Sequence, residues 1–206
     1  MKPDSPTPMA RLGSIEPTSG GGGNWIGAST AAATARRGLW IFLGVLTSLF
    51  LLFIAAYLMR MHFGDWHSLP KPRLLWLNTA TLVASSAALQ IALVALRHHR
   101  RRAAGFALLA GVGFALAFLL GQWLAWRQLQ ALGYFVAGNP ANSFFYLITA
   151  VHGAHLLGGL VALARATAHW RGAAPGQREL SLQLCARYWH FLLAVWLVLF
   201  ALLLVT

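Results

Sequence analysis

Acidic side chains are nearly missing from this chain of 206 residues. It has four, Asp4, Glu16, Asp65 and Glu179, against sixteen lysines and arginines. All four lie outside the chain's long apolar blocks. Proton relays inside membranes are built from Asp, Glu and His chains. A chain without an intramembrane carboxylate is a poor proton pump by itself and offers a buried metal no acidic ligand. Cysteine is just as scarce. Cys185 is alone, which excludes an internal disulfide and any paired-thiol metal or redox site. It reads as a small buried apolar residue. Charge of either sign makes up only 10% of the chain, where a soluble domain carries about 25%. The HExxH and HxxxH spacings that place zinc ligands on one helix face are missing too.

What is present is apolar. Hydrophobic residues make up 58% of the chain, gathered into blocks about 20 residues long, the length a spanning helix needs. Five such blocks run from about Leu39 to Met59, Leu74 to Leu96, Ala103 to Trp126, Ser143 to Leu163, and Tyr188 to Thr206. They are continuous rather than alternating, so they are helices and not barrel strands. The expected fold is an all-α membrane protein with five transmembrane helices in a bundle. Residues 1–37 hold no apolar run of the kind a cleavable signal requires. Their Pro, Ser, Thr and Gly, with the run Gly20 to Gly23, predict a flexible tail. Residues 38–206 form the transmembrane domain.

The net charge of +12 would suggest nucleic acid in a soluble protein. Here no soluble domain remains to carry that role, so no nucleic-acid partner is expected. The basic residues mark membrane faces instead. Lys2, Arg11, Arg36 and Arg37 precede the first span, Arg97, Arg100, Arg101 and Arg102 follow the second, and Arg165, Arg171, Arg178 and Arg187 follow the fourth. The opposite face has only Arg60, Lys71, Arg73 and Arg127. The positive-inside rule therefore puts the N-terminus in the cytoplasm and the C-terminus in the periplasm. Trp25, Trp40, Trp66, Trp76, Trp126, Trp170 and Trp189 fall near span ends, as an interfacial belt would. Trp126-Arg127 and Trp170-Arg171 are candidate contacts for lipid headgroups. The short connections predict that consecutive helices are antiparallel neighbours.

Three histidines interrupt the apolar blocks: His152, His155 and His190. An ionisable group inside a span is a functional-site hypothesis by default. One reading is a haem site, with His190 facing His152 or His155. The other is structural, each imidazole hydrogen-bonding a neighbouring helix or a headgroup. Gly153, Gly158 and Gly159 in the fourth block, and Gly105, Gly111, Gly113 and Gly121 in the third, would let helices approach closely. Asn78, Thr79, Thr81, Ser85, Ser86 and Gln90 form a polar set along the second. Interhelical hydrogen bonds account for it; a substrate path is the alternative.

The blocks also resemble a known family. The segments GLWIFLGVLTSLFLLFIAAYLMR, LLWLNTATLVASSAALQIALVALR, LLGQWLAWRQL, FFYLITAVHGAHLLGGLVAL and YWHFLLAVWLVLF occur in the order found in subunit III of the haem-copper oxygen reductases. The fourth is the most specific, with His152, His155, Gly158 and Gly159. The fifth carries Tyr188, Trp189 and His190. The chain departs from many members at three places, with Leu46, Ala125 and Leu193 where they carry acidic residues.

That resemblance implies the five-helix form of a subunit that carries no haem and no copper. It implies packing against subunit I, which holds the redox centres, with subunit II in the same complex. It implies bound phospholipid between helices, support of proton uptake, and a place in the bacterial cytoplasmic membrane. No catalytic, cofactor-binding or metal-binding residue is expected on this chain. The complex would reduce oxygen to water in aerobic electron transport, with cytochrome c and quinol both open as electron donors. The alternatives are an accessory subunit of a nitric oxide reductase, a stand-alone haem-binding membrane cytochrome, and a small transporter.

Overall fold

A computed structural model describes residues 22–63, 74–136, 139–168, 172 and 175–205. Five helices make it up: α1 (Gly22–Met61), α2 (Leu74–Arg97), α3 (Arg101–Ala131), α4 (Pro140–Ala168) and α5 (Pro175–Val205). All five are long and apolar enough to cross a membrane. Among the described residues there is no strand. By packing, the chain divides into Met1–Ala35 and Arg36–Thr206. The second unit is the helix bundle.

The helices outrun the apolar blocks. At α5 the helix starts at Pro175 rather than near Tyr188. Pro175 suits a first helical position, where its missing N–H costs nothing, and after Gly176 no glycine or proline interrupts the helix. The polar opening turns therefore continue the helix outward, and Arg178, Glu179 and Arg187, expected in a loop, stand on α5. Likewise Arg165 lies in the last turn of α4. The helix of α1 begins at Gly22, inside the stretch expected to be a tail; the rest of that stretch lies outside the described residues.

Two helix ends close in the same way. After α3, Gly133 adopts φ +86°, with Gly133 N donating to Gln130 O and Tyr134 N to Leu129 O. After α2, His99 takes the corresponding position at φ 57°, with His99 N donating to Leu96 O and Arg100 N to Ala95 O. Both are Schellman ends, which satisfy carbonyls the helix leaves open. Asn139 opens α4: its Oδ1 accepts from Ala141 N at 3.1 Å, with Pro140 first in the helix. The turn signals at Gly64-Asp65 and from Leu69 to Pro72 lie outside the described residues.

From α2 onward, consecutive helices are neighbours, and α2 also meets α5. α2 lies along α3 and also against α5, α4 lies on α5, and α3 meets α4 over a short region. α1 does not pair with α2 as its short connection predicts. Its buried residues Phe50 and Tyr57 pack with Ile148 of α4 and Leu199 of α5. Bulky aromatics at this contact hold the α1 backbone off. Small residues do the opposite between α2 and α3, where a Cβ on Gly111 would stand 3.3 Å from Leu89 Cγ.

Candidate functional site

The centre of the bundle is built from polar side chains on α2 that reach other helices. Ser85, fully buried, donates from Oγ to Gly111 O of α3 at 2.8 Å. The same oxygen accepts from Trp189 Nε1 of α5 at 2.9 Å. One hydroxyl therefore ties three helices. Thr79 Oγ1 accepts from Trp196 Nε1 at 3.0 Å, and Asn78 Nδ2 donates to Gln122 Oε1 at 3.3 Å. Between α3 and α4, Trp126 Nε1 donates to Thr149 Oγ1 at 3.1 Å. Half of the α2 polar set, Asn78, Thr79 and Ser85, is thereby used in interhelical bonds, the reading that needs no substrate path, while Thr81 turns back to Asn78 O of its own helix. Gln90 instead faces a cavity, and Ser86 Oγ finds no partner among the described residues.

The α4 and α5 motifs interlock. A Cβ on Gly159 would lie 2.8 Å from Trp189 Cζ3 and 2.8 Å from Tyr188 Cε1. Only hydrogen fits between that backbone and the two rings. The Tyr188 hydroxyl donates to His155 O at 2.9 Å. Gly158, one residue away, has no atom within 4 Å of where its Cβ would be. It lines an apolar cavity of about 380 Å³ with His155, Cys185 and Tyr188. The packing role expected of the glycines therefore splits. Gly111, Gly121 and Gly159 face neighbours closely, and Gly153 sits 3.7 Å from Leu119 Cδ2, whereas Gly105, Gly113 and Gly158 do not.

The three histidines part company as well. Both His155 and His190 donate Nδ1–H to the carbonyl one turn back, Val151 O at 2.7 Å and Ala186 O at 2.5 Å. His152 is fully buried, and neither ring nitrogen meets a partner among the described residues. That departs from the expected hydrogen bond. The reason is its surroundings: Trp196 at 5.2 Å, Phe118 at 5.8 Å and Phe50 at 6.3 Å between ring centroids. The imidazole is held as an aromatic ring among aromatic rings.

His190 opens into a different cavity from His155, so these three do not form the facing pair a bis-histidine haem requires. Among the described residues no group of three or more His, Cys, Asp or Glu is placed to hold a metal.

Other expectations redistribute. Trp189 is buried rather than interfacial. Trp126 spends its N–H on Thr149, and Arg127 lies over the Trp123 ring at 5.5 Å. Trp40 and Trp76 are exposed on the helix surface, while Trp170 and Arg171 lie outside the described residues. Leu46 and Ala125 are buried, and Leu193 packs against the core. The cavity at His190 has no signature in the sequence, because it joins residues from three separate blocks.

A family model described as cytochrome c oxidase subunit III matches residues 66–205. The chain is 30% identical over 176 residues to cytochrome c oxidase subunit 3 of Synechocystis sp., covering 80% of this chain and 72% of that protein. It is 31% identical over 126 residues to the Glycine max protein of the same name, 61% of this chain and 46% of the relative. To a probable cytochrome c oxidase subunit 3 of Mycobacterium leprae it is 38% identical over 89 residues, 41% and 43% of the two chains. The chain thus spans less than half the length of the last two.

Proposed function

The chain belongs to the cytochrome c oxidase subunit III family, and on that premise we propose that it is an accessory, non-catalytic subunit of a haem-copper terminal oxidase. It packs on subunit I, with subunit II in the same complex, in a bacterial cytoplasmic membrane. Haem and copper belong to subunit I in this reading. The residues here do not fit them: His155 and His190 open into different cavities and so do not face one another across a haem, and aromatic rings close off His152. The work left to the chain is packing, phospholipid binding and protection of subunit I during turnover.

The observation that carries this reading is the fit of Gly159 under Tyr188 and Trp189, with the Tyr188 hydroxyl on His155 O. It explains why the two most family-specific stretches occur together: each is the other's packing surface. Purification through a tag on this chain in mild detergent tests the proposal. A haem- and copper-bearing subunit should come with it, and the chain should lose its haem absorbance once separated. A chain that purifies without partners, or that keeps stoichiometric haem when separated, would sink the proposal.

Orientation belongs to the same proposal, with the N-terminus in the cytoplasm. Reporter fusions after Arg102 and Arg178 should read cytoplasmic and a fusion after Arg127 external; one reversal overturns the arrangement.

A further inference from the structure

A cleft of about 750 Å³ opens between the Leu39 end of α1, the Arg97 end of α2 and the first half of α5. Its polar groups fall into two lines. On α5, Gln183, Arg187 and His190 recur at helical spacing, so they share one face. On α2, Gln90 and Arg97 line the same space. Arg97 donates Nε to Glu179 Oε1 at 2.9 Å, and Glu179 lies one turn before Gln183. From Glu179 to His190 the α5 line is about 16 Å long at the helical rise. Leu39, Leu43, Leu93 and Phe191 supply an apolar wall, and Trp40, exposed on α1, completes the lining from that side.

The cleft is short of carboxylate. Arg187 makes no ion pair among the described residues, whose single carboxylate, that of Glu179, is already on Arg97. Pairing through Nε leaves Arg97 with donors to spare, since a guanidinium carries five. His190 commits Nδ1 to Ala186 O, so Nε2 is the ring nitrogen turned off its helix. The bond from Arg97 to Glu179 shows which counter-ion this geometry accepts. A compact anion would meet one level of a polar line about three turns long. An extended chain segment meets all of it, with carboxylates on the guanidiniums and backbone groups on the two glutamine amides. Trp and Arg are also the residue types most enriched where protein partners bind tightly. The cavities between α3 and α4 and beside Gly158 hold no arginine.

We infer that this cleft receives an acidic segment of a partner subunit. Its carboxylates pair with Arg97 and Arg187, and its apolar side chains lie along Leu39, Leu43 and Leu93. The inference rests on reading the chain as one subunit of a complex. It adds which face of the bundle takes a partner and by what charge.

The complex purified through a tag on this chain tests it in two ways. A photo-crosslinking p-benzoylphenylalanine placed at Gln183, with both arginines native, should join the chain to a partner peptide that carries Asp or Glu. Adducts with lipid alone, or with a peptide free of carboxylates, would overturn the inference. Arg187→Glu should lower the amount of that partner retained about tenfold, and Arg187→Lys, which keeps the charge, should hold most of it. Arg102→Glu, at the same end of the bundle but outside the cleft, should change nothing. Replacing the cross-linked acid of the partner by Lys should restore retention to the Arg187→Glu chain. Helical circular dichroism confirms that each variant is folded. A haem-bearing partner retained equally by the native chain and by folded Arg187→Glu would overturn this inference and leave the accessory reading standing. An acidic partner that is lost on Arg187→Glu but carries no haem would do the reverse.

Discussion

α1 and α2 are both apolar helices with a sprinkling of hydroxyls, yet they solve the same problem in opposite ways. Buried residues make up 44% of the most apolar stretch of α2 and 17% of that of α1. On α1 the hydroxyls turn back on their own helix: Thr47 donates to Leu43 O at 2.8 Å and Ser48 to Gly44 O at 3.1 Å. On α2, Ser85 reaches across to α3 and receives α5. In lipid a hydroxyl must find a partner, and either route serves. Only the second fastens helices together. α1 is therefore held by a few aromatic contacts, whereas α2, α3 and α5 are held by packing and by directed bonds.

This contrast predicts where the bundle breaks. Trp189 fills the fully buried junction of α5 with Ser85 and Gly159, and Trp189→Ala should remove about 3 kcal/mol from it, by analogy with large-to-small core substitutions. Trp40, 64% exposed on α1, should tolerate the same change within about 0.5 kcal/mol. Reversible unfolding of the purified chain in mixed micelles measures both. Equal losses would mean that α1 is fastened as firmly as the core.

Adjacent glycines sharpen the comparison at the next level. Gly159→Val pushes a branched side chain into two rings and should cost on the order of 1–3 kcal/mol, while Gly158→Val projects into open cavity and should cost little. The same pair read in the assembled complex should show subunit loss for the first variant only. If the two behave alike, the interlock between α4 and α5 is not what holds them.

His152 inverts the usual expectation for a polar group in the core. An unpartnered buried polar group costs about 1–3 kcal/mol, and its surroundings are Phe50, Phe118 and Trp196. His152→Phe should therefore leave stability unchanged or raise it by about 1 kcal/mol, with initial oxygen turnover and the haem spectrum of the complex unaltered. A complex that assembles with normal haem content yet loses turnover would give His152 a part in proton delivery and contradict the accessory reading.

Much of this was legible in the residues. Block length and continuity give five spans because lipid leaves the backbone few alternatives. The α2 polar set announced hydrogen bonds inside the protein because lipid offers no partner at that depth, though not which of them would cross to another helix. What escaped was tertiary. Gly158 and Gly159 are indistinguishable by residue type, and only the rotation of α4 against α5 decides which meets a ring. Trp189 near a span end resembles Trp40 until α5 is known to begin at Pro175, which moves Trp189 well inside the helix. The apolar edge of a block marks composition, not where helical hydrogen bonding stops.

The smallest effect tests the contrast most directly, because it isolates the directed bond from the packing around it. Ser85 Oγ accepts from Trp189 Nε1 and donates to Gly111 O. Ser85→Ala deletes both bonds, and Trp189→Phe deletes only the indole donor along with some volume. A double-mutant cycle between them removes the volume term common to both Trp189→Phe legs and leaves the coupling. In water-soluble cores a buried bond of this kind is worth about 1 kcal/mol; between membrane helices the average is about 0.6 kcal/mol, since the separated helices also find partners. The expected coupling is therefore about 0.6 kcal/mol in favour of the pair. The matching cycle on α1, Thr47→Ala with Tyr57→Phe, joins two residues ten positions apart on one helix and should give none. A Ser85–Trp189 coupling indistinguishable from zero would mean that α2 and α5 are joined by shape alone. The distinction between α1 and α2 would then reduce to the number of rings each one buries.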